Sequence, residues 1–140
     1  MDIRYIRMDG RAQPPFRATV GAAGWDLTAV TIRWDQHSGC WILGTGLAFE
    51  IPEGYVGLLF PRSSVYKRRL AMAHCVGVID SDYRGEVHAI FKADSSSEPY
   101  AVGERCCQLV IVKLPDINWI EADNLSSTER SLNGFGSTGD

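Results

Sequence analysis

The sequence predicts a single, mainly antiparallel all-β domain, and three observations carry that expectation. Short runs rich in β-branched and aromatic residues recur along the whole chain, with clusters of Gly, Pro, Asp and Ser between them. Only one stretch has helical character. At 140 residues the chain is the length of one domain with one hydrophobic core. A compact barrel or sandwich satisfies all three.

The runs are DIRYIR (2 to 7), WDLTAVTIRW (25 to 34), CWIL (40 to 43), GLAFEI (46 to 51) and GYVGLLF (54 to 60), then AHCVGVI (73 to 79), EVHAIFKA (86 to 93) and RCCQLVIVKL (105 to 114). The helical stretch is SSVYKRRL after Pro61 and Arg62, where hydroxyl residues stand in N-cap position ahead of good helix formers. Around GVIDSDYRGEV the spacing predicts a β-hairpin, with strands over 74 to 80 and 85 to 91 and Asp80 at the strand end. The tryptophans of TIRWDQHSGCWIL (31 to 43) are expected in the core, where aromatic residues of β proteins usually lie. From Ser126 onward, SSTERSLNGFGSTGD is nearly devoid of apolar residues and reads as a mobile arm of 126 to 140 behind a domain of 1 to 125.

Composition narrows the function classes. Net charge is −3 with both signs interspersed, so nothing marks a surface for direct nucleic-acid binding. The cysteines, Cys40, Cys75, Cys106 and Cys107, form no C-x-x-C pair, and neighbours in a strand point to opposite faces, which speaks against a shared metal site. They read as reduced thiols of a cytosol-like compartment. The N-terminus, MDIRYIRMDG, lacks the apolar centre of a signal peptide, and no segment approaches the ~18 apolar residues of a membrane span. A cytoplasmic protein without membrane association is expected.

Three motifs carry chemistry. In FPRSSVYKRRL, Arg62, Ser63 and Ser64 supply a cation, two hydroxyls and free backbone amides at a helix start, a combination that can hold an oxyanion or simply cap a helix. There is no G-x-x-x-x-G-K-[ST], which closes the P-loop route. GFGSTG, with Arg130 upstream, can fold over a phosphate chain while Phe135 covers a base, or can be a linker end. Asp80 in its loop can accept a proton from water, with Tyr83 offering a flat face beside it, or can be ordinary turn chemistry. His37, His74 and His88 are scattered, with no Ser-His-Asp order and no H-E-x-x-H, so hydrolysis would run on a carboxylate.

Taken together, AAGWDLTA (22 to 29), PRSS (61 to 64), GVIDSDYRGEV (77 to 87), GERCCQL (103 to 109) and RSLNGFGSTG (130 to 139) resemble, in order, the motifs of the trimeric dUTP diphosphatases. The resemblance implies a β-barrel or jelly-roll of the β-clip type, a homotrimer with shared active sites, and hydrolysis of dUTP to dUMP and pyrophosphate with Mg2+, which limits uracil incorporation into DNA. By position, Asp80 matches the carboxylate that orients and deprotonates the attacking water. Tyr83 matches the ring beneath the deoxyribose that excludes a 2′-hydroxyl. Arg62, Ser63, Ser64 and Gln108 match phosphate contacts, and Asp26 the acid near the metal's water shell and the phosphate-binding arginine. Val78 and Ile79 fall in the uracil pocket. Arg130, Phe135 and Gly136 match the arm residues that bind the terminal phosphate and stack on uracil.

The sequence departs from the pattern at several positions. Trp25 stands where the first segment usually has Tyr, Cys106-Cys107 replaces an Ile-Ala pair, and Ser131 and Asn133 replace glycines, which stiffens the arm. His74 stands where some members place an Asn that reads the uracil edge, and its imidazole offers one donor and one acceptor on separate nitrogens. Two rival functions fit the same fold: a dCTP deaminase, alone or bifunctional, and a nucleotide-switched trimeric protein that docks a regulatory protein partner.

Overall fold

In a computed structural model describing residues 1–94 and 96–133, three antiparallel sheets share one core. Strand β1 (Arg4–Arg7) pairs with β5 (Leu47–Glu50). A second sheet has the order β2 (Trp25–Thr28), β10 (Arg105–Lys113), β6 (Tyr55–Pro61), β8 (Gly77–Ile79). A third has the order β3 (Thr31–Asp35), β4 (Cys40–Gly44), β9 (His88–Lys92), β7 (Ala71–Met72). The all-β expectation holds.

The core is filled from all three sheets by Leu27, Leu43, Leu47, Leu59, Val87, Phe91, Cys106 and Cys107, each fully buried. Burying a side chain of this size stabilises by about 1.5–3 kcal/mol. Trp41 packs against this core, and Trp34 meets it edge-on with ring centroids 5.1 Å apart. Trp34 itself stays 41% exposed, so the core expectation for that segment applies to one of its tryptophans.

WDLTAVTIRW is not one strand. The amide of Ala29 donates to Glu104 ahead of β10, while the next amide, Val30, donates to Gly44 of β4. The chain changes sheet between these two residues. Nor do the flanks of GVIDSDYRGEV form a hairpin: β8 pairs with β6, whereas β9 pairs with β4 and β7, so Asp80 to Val87 is a crossover between sheets. Residues 74 to 76 are not strand, because Cys75 adopts a left-handed φ of 57°.

Among the described residues the single helix is a 3-10 turn, Ser63–Arg68, and its N-cap is Arg62 with no side-chain capping bond. The expected hydroxyl cap is absent, and Ser63 stands exposed. In β10 a bulge between Arg105 and Cys107 breaks the face alternation. Both Cys106 and Cys107 therefore turn inward with sulfurs 3.8 Å apart, contrary to the opposite-face expectation. The bond to Cys106 and burial push the Cys107 thiol well above its ordinary range, and all four cysteines are free.

Gly46 turns the chain from β4 into β5 at φ 65°, and a Cβ there would lie 2.9 Å from both the Ala12 and Asp9 Cβ atoms. Gly46→Ala is expected to destabilise the fold by about 1–3 kcal/mol, from left-handed strain and overpacking together. A lower urea midpoint at unchanged m-value would show it. From Val112 to Asn133 every residue is exposed.

Candidate active site

Two groups of the expected site residues lie at opposite ends of β6. At its C-terminal end, Asp26 is the hub: its Oδ1 accepts from Arg62 Nε and its Oδ2 from Arg105 Nη1, both at 3.1 Å. Arg62 Nη1 donates to the Arg105 carbonyl at 3.1 Å, and the Arg105 guanidinium lies 5.0 Å from the Phe16 ring centroid. Phe16 in turn bridges backbone to backbone with Asp26. The Asp26 side chain is only 13% exposed, so removing either guanidinium would leave a largely desolvated carboxylate half-paired. With two guanidiniums on one carboxylate, the cluster is net cationic.

Gln108 faces Asp26 in the β2–β10 ladder, and its Nε2 donates to the Pro61 carbonyl at 2.9 Å. It lies against Gly24, where an added Cβ would come within 3.2 Å of the Gln108 Cβ and collide with its amide oxygen. Gln108 thereby fixes the turn from β6 into Arg62, Ser63 and Ser64. Oriented, partly buried guanidiniums of this kind suit a polyphosphate.

Asp80 follows β8 directly. The β6–β8 register pairs Ile79 with Gly57 and Gly77 with Leu59, so Asp80 lies level with the start of β6. Its carbonyl accepts from the Tyr83 amide at 3.2 Å, closing a turn, and the Tyr83 hydroxyl donates to the Glu86 carbonyl at 3.0 Å. Val78 is exposed and Ile79 half-buried. The exposed His74 is folded back over Gly77, where an added Cβ would approach its Cε1 to 3.0 Å. Asp80 borders an open cleft of about 900 Å3 whose walls also carry Asp2, Glu50, Glu53 and Asp82 against Arg4 and Arg84. That wall is anionic and by itself repels a triphosphate.

From Asp80 to Arg62 is about six residues along β6, or roughly 20 Å at ~3.3 Å per residue. A single chain therefore keeps its candidate base and its candidate phosphate-binding cations apart. Arg130 is exposed and donates from Nε to the Asn133 carbonyl, while Ser131, in the place of a glycine, takes a left-handed φ of 47°. Phe135 and Gly136 lie outside the described residues.

The dUTPase family model matches residues 11–139. The chain belongs to the dUTPase family. Among curated relatives, a deoxyuridine 5′-triphosphate nucleotidohydrolase of Hydrogenobaculum sp. is 40% identical over 98% of this chain and 96% of its own length. One from Finegoldia magna is 35% identical over 99% of both chains. In three dimensions the chain resembles the dUTPase of Staphylococcus bacteriophage 80alpha, solved with dUpNHpp, with a TM-score of 0.82, 25% identity and 99% of both chains covered.

Within this family frame, one residue of the cluster lies inside a recognised motif, GERCCQL, without a role assigned to it from the sequence. Arg105 also holds Asp26, yet in sequence it is one more charge at the start of the β10 run. Its place three residues ahead of Gln108 was the available signal. Among the described residues no group of three His, Cys, Asp or Glu side chains is arranged to hold a metal ion. No helix is long and apolar enough to cross a membrane among the described residues.

Proposed function

We propose that this protein is a cytoplasmic dUTP diphosphatase, splitting dUTP into dUMP and pyrophosphate at sites built between copies of the chain in a homotrimer and so limiting uracil incorporation into DNA. The observation that carries the proposal is the division along β6, with a carboxylate-lined cleft at one end and a guanidinium cluster at the other. Juxtaposing the Asp80 end of one copy with the Arg62 end of another places a base and phosphate-binding cations on one nucleotide.

In that arrangement Asp80 orients a water in line with the α-phosphorus and takes its proton. Arg62, Ser63, Ser64 and Gln108 hold the phosphates, while Asp26 and Arg105 keep Arg62 from turning away. The Tyr83 ring leaves no room for a 2′-hydroxyl, and Val78, Ile79 and His74 border the uracil. Both Asp26 oxygens already accept guanidinium N–H groups, so this acid would hold Mg2+ only indirectly, through water. When bound, Mg2+ offsets charge on the triphosphate oxygens. The arm, through Arg130, Phe135 and Gly136, closes the site.

A pyrophosphate-release assay across dUTP, dTTP, dCTP and UTP with Mg2+ tests the proposal, and release from dUTP alone is the expected result. Equal release from all four would refute it, and ammonia from dCTP would point to a deaminase. Deleting residues 130 to 140 should leave the oligomer intact by light scattering and depress kcat, because closure excludes water and positions phosphate.

A further inference from the structure

We propose that Glu86 is a positioning residue for sugar selection, its carboxylate clamping the loop that carries Tyr83 onto the turn between β4 and β5. This rests on the assignment of Tyr83 to the sugar face. Glu86 Oε1 accepts the Gly46 amide at 2.7 Å, and it passes so close to Gly44 that an added Cβ there would lie 2.5 Å from it. A glycine at position 44 leaves it this route. Gly46 is buried, so the carboxylate satisfies an amide that water does not reach. The clamp side chain is itself 26% exposed.

The clamp reaches the ring through a short path. Tyr83 donates its hydroxyl to the Glu86 carbonyl, and the ring lies on Gly85, where an added Cβ would come within 2.6 Å of Tyr83 Cζ. A shift of Glu86 therefore moves the ring. The next residue is held separately: the Val87 carbonyl accepts from the buried Thr45 hydroxyl at 2.8 Å, and its amide donates to Leu47 at 2.9 Å. Because Val87 stays pinned, loss of the carboxylate leaves residues 83 to 86 held chiefly through the Glu86 carbonyl, 3.0 Å from His88 Nδ1, while the sheets remain paired. The consequence falls on discrimination at the 2′ position.

Steady-state kinetics of the full-length oligomer on dUTP and UTP test this with Glu86→Ala, Glu86→Gln and Glu86→Asp. The alanine variant should lower the dUTP/UTP ratio of kcat/KM by about tenfold or more, chiefly through better use of UTP. Glutamine, whose amide oxygen can still accept the Gly46 N–H, should restore the parent ratio. Aspartate keeps the charge but falls short by one methylene, so it should relax selectivity like alanine and serves if the alanine variant does not fold. A parent-like ratio in a folded alanine or aspartate variant, while Tyr83→Ala relaxes selectivity, would overturn the role of Glu86 alone. An unchanged ratio in Tyr83→Ala would instead overturn the sugar assignment beneath it.

Discussion

Asp80→Asn is expected to bind the nucleotide at least as well as the parent and to turn it over about 10²- to 10⁴-fold more slowly. The two side chains have the same shape, and the local turn relies on the residue 80 carbonyl, which accepts from Tyr83 in either case. The cleft wall, already crowded with Asp2, Glu50, Glu53 and Asp82, would lose one negative charge, so affinity for a triphosphate should not fall. What disappears is a group able to take the proton of water. Calorimetry with a non-hydrolysable analogue, run beside pyrophosphate release, separates the two quantities. Turnover within tenfold of the parent would end the assignment of Asp80 as the base.

Arg62→Ala and Asp80→Asn, each inactive alone, should restore activity when the two chains are refolded together. A site built across two copies needs an intact Arg62 from one and an intact Asp80 from the other, a condition met at about a quarter of sites in a random equal mixture. The roughly 20 Å between these residues within one chain is the reason to expect rescue. No recovery beyond the sum of the separate variants would mean that the site forms within one chain and would overturn its assignment to two copies.

Much of this architecture can be read before folding is considered. Alternation of apolar and polar residues marks the strands because a half-buried strand leaves no other solution, and β9 shows it plainly, with Ala89 and Phe91 buried between the exposed His88 and Lys92. Candidate residues that depend on local order, such as Asp80 beside Tyr83 or Arg62 before Ser63, are visible for the same reason. Partner choice is not. The arms around Asp80 look like a hairpin because they are close in sequence, yet each finds a better apolar surface in a different sheet. The change of sheet between Ala29 and Val30 has no Gly or Pro to announce it, since two ordinary amides simply find acceptors on different elements. Arg105 is hidden likewise, because its significance lies in a contact to a residue 79 positions away.

The bulge in β10 has a genetic corollary. Residues 105 and 108 are an odd number apart and in an unbroken strand would project to opposite sides, yet Arg105 and Gln108 both serve the Asp26 side because one additional residue intervenes. An in-frame deletion of a single codon at Cys106 or Cys107 would set the arginine and the glutamine two apart in an unbroken strand, leaving both on the Asp26 side but removing one of the two inward sulfurs and opening a void in the interior. This segment can tolerate exchange of one small apolar residue for another far more readily than any change in its length.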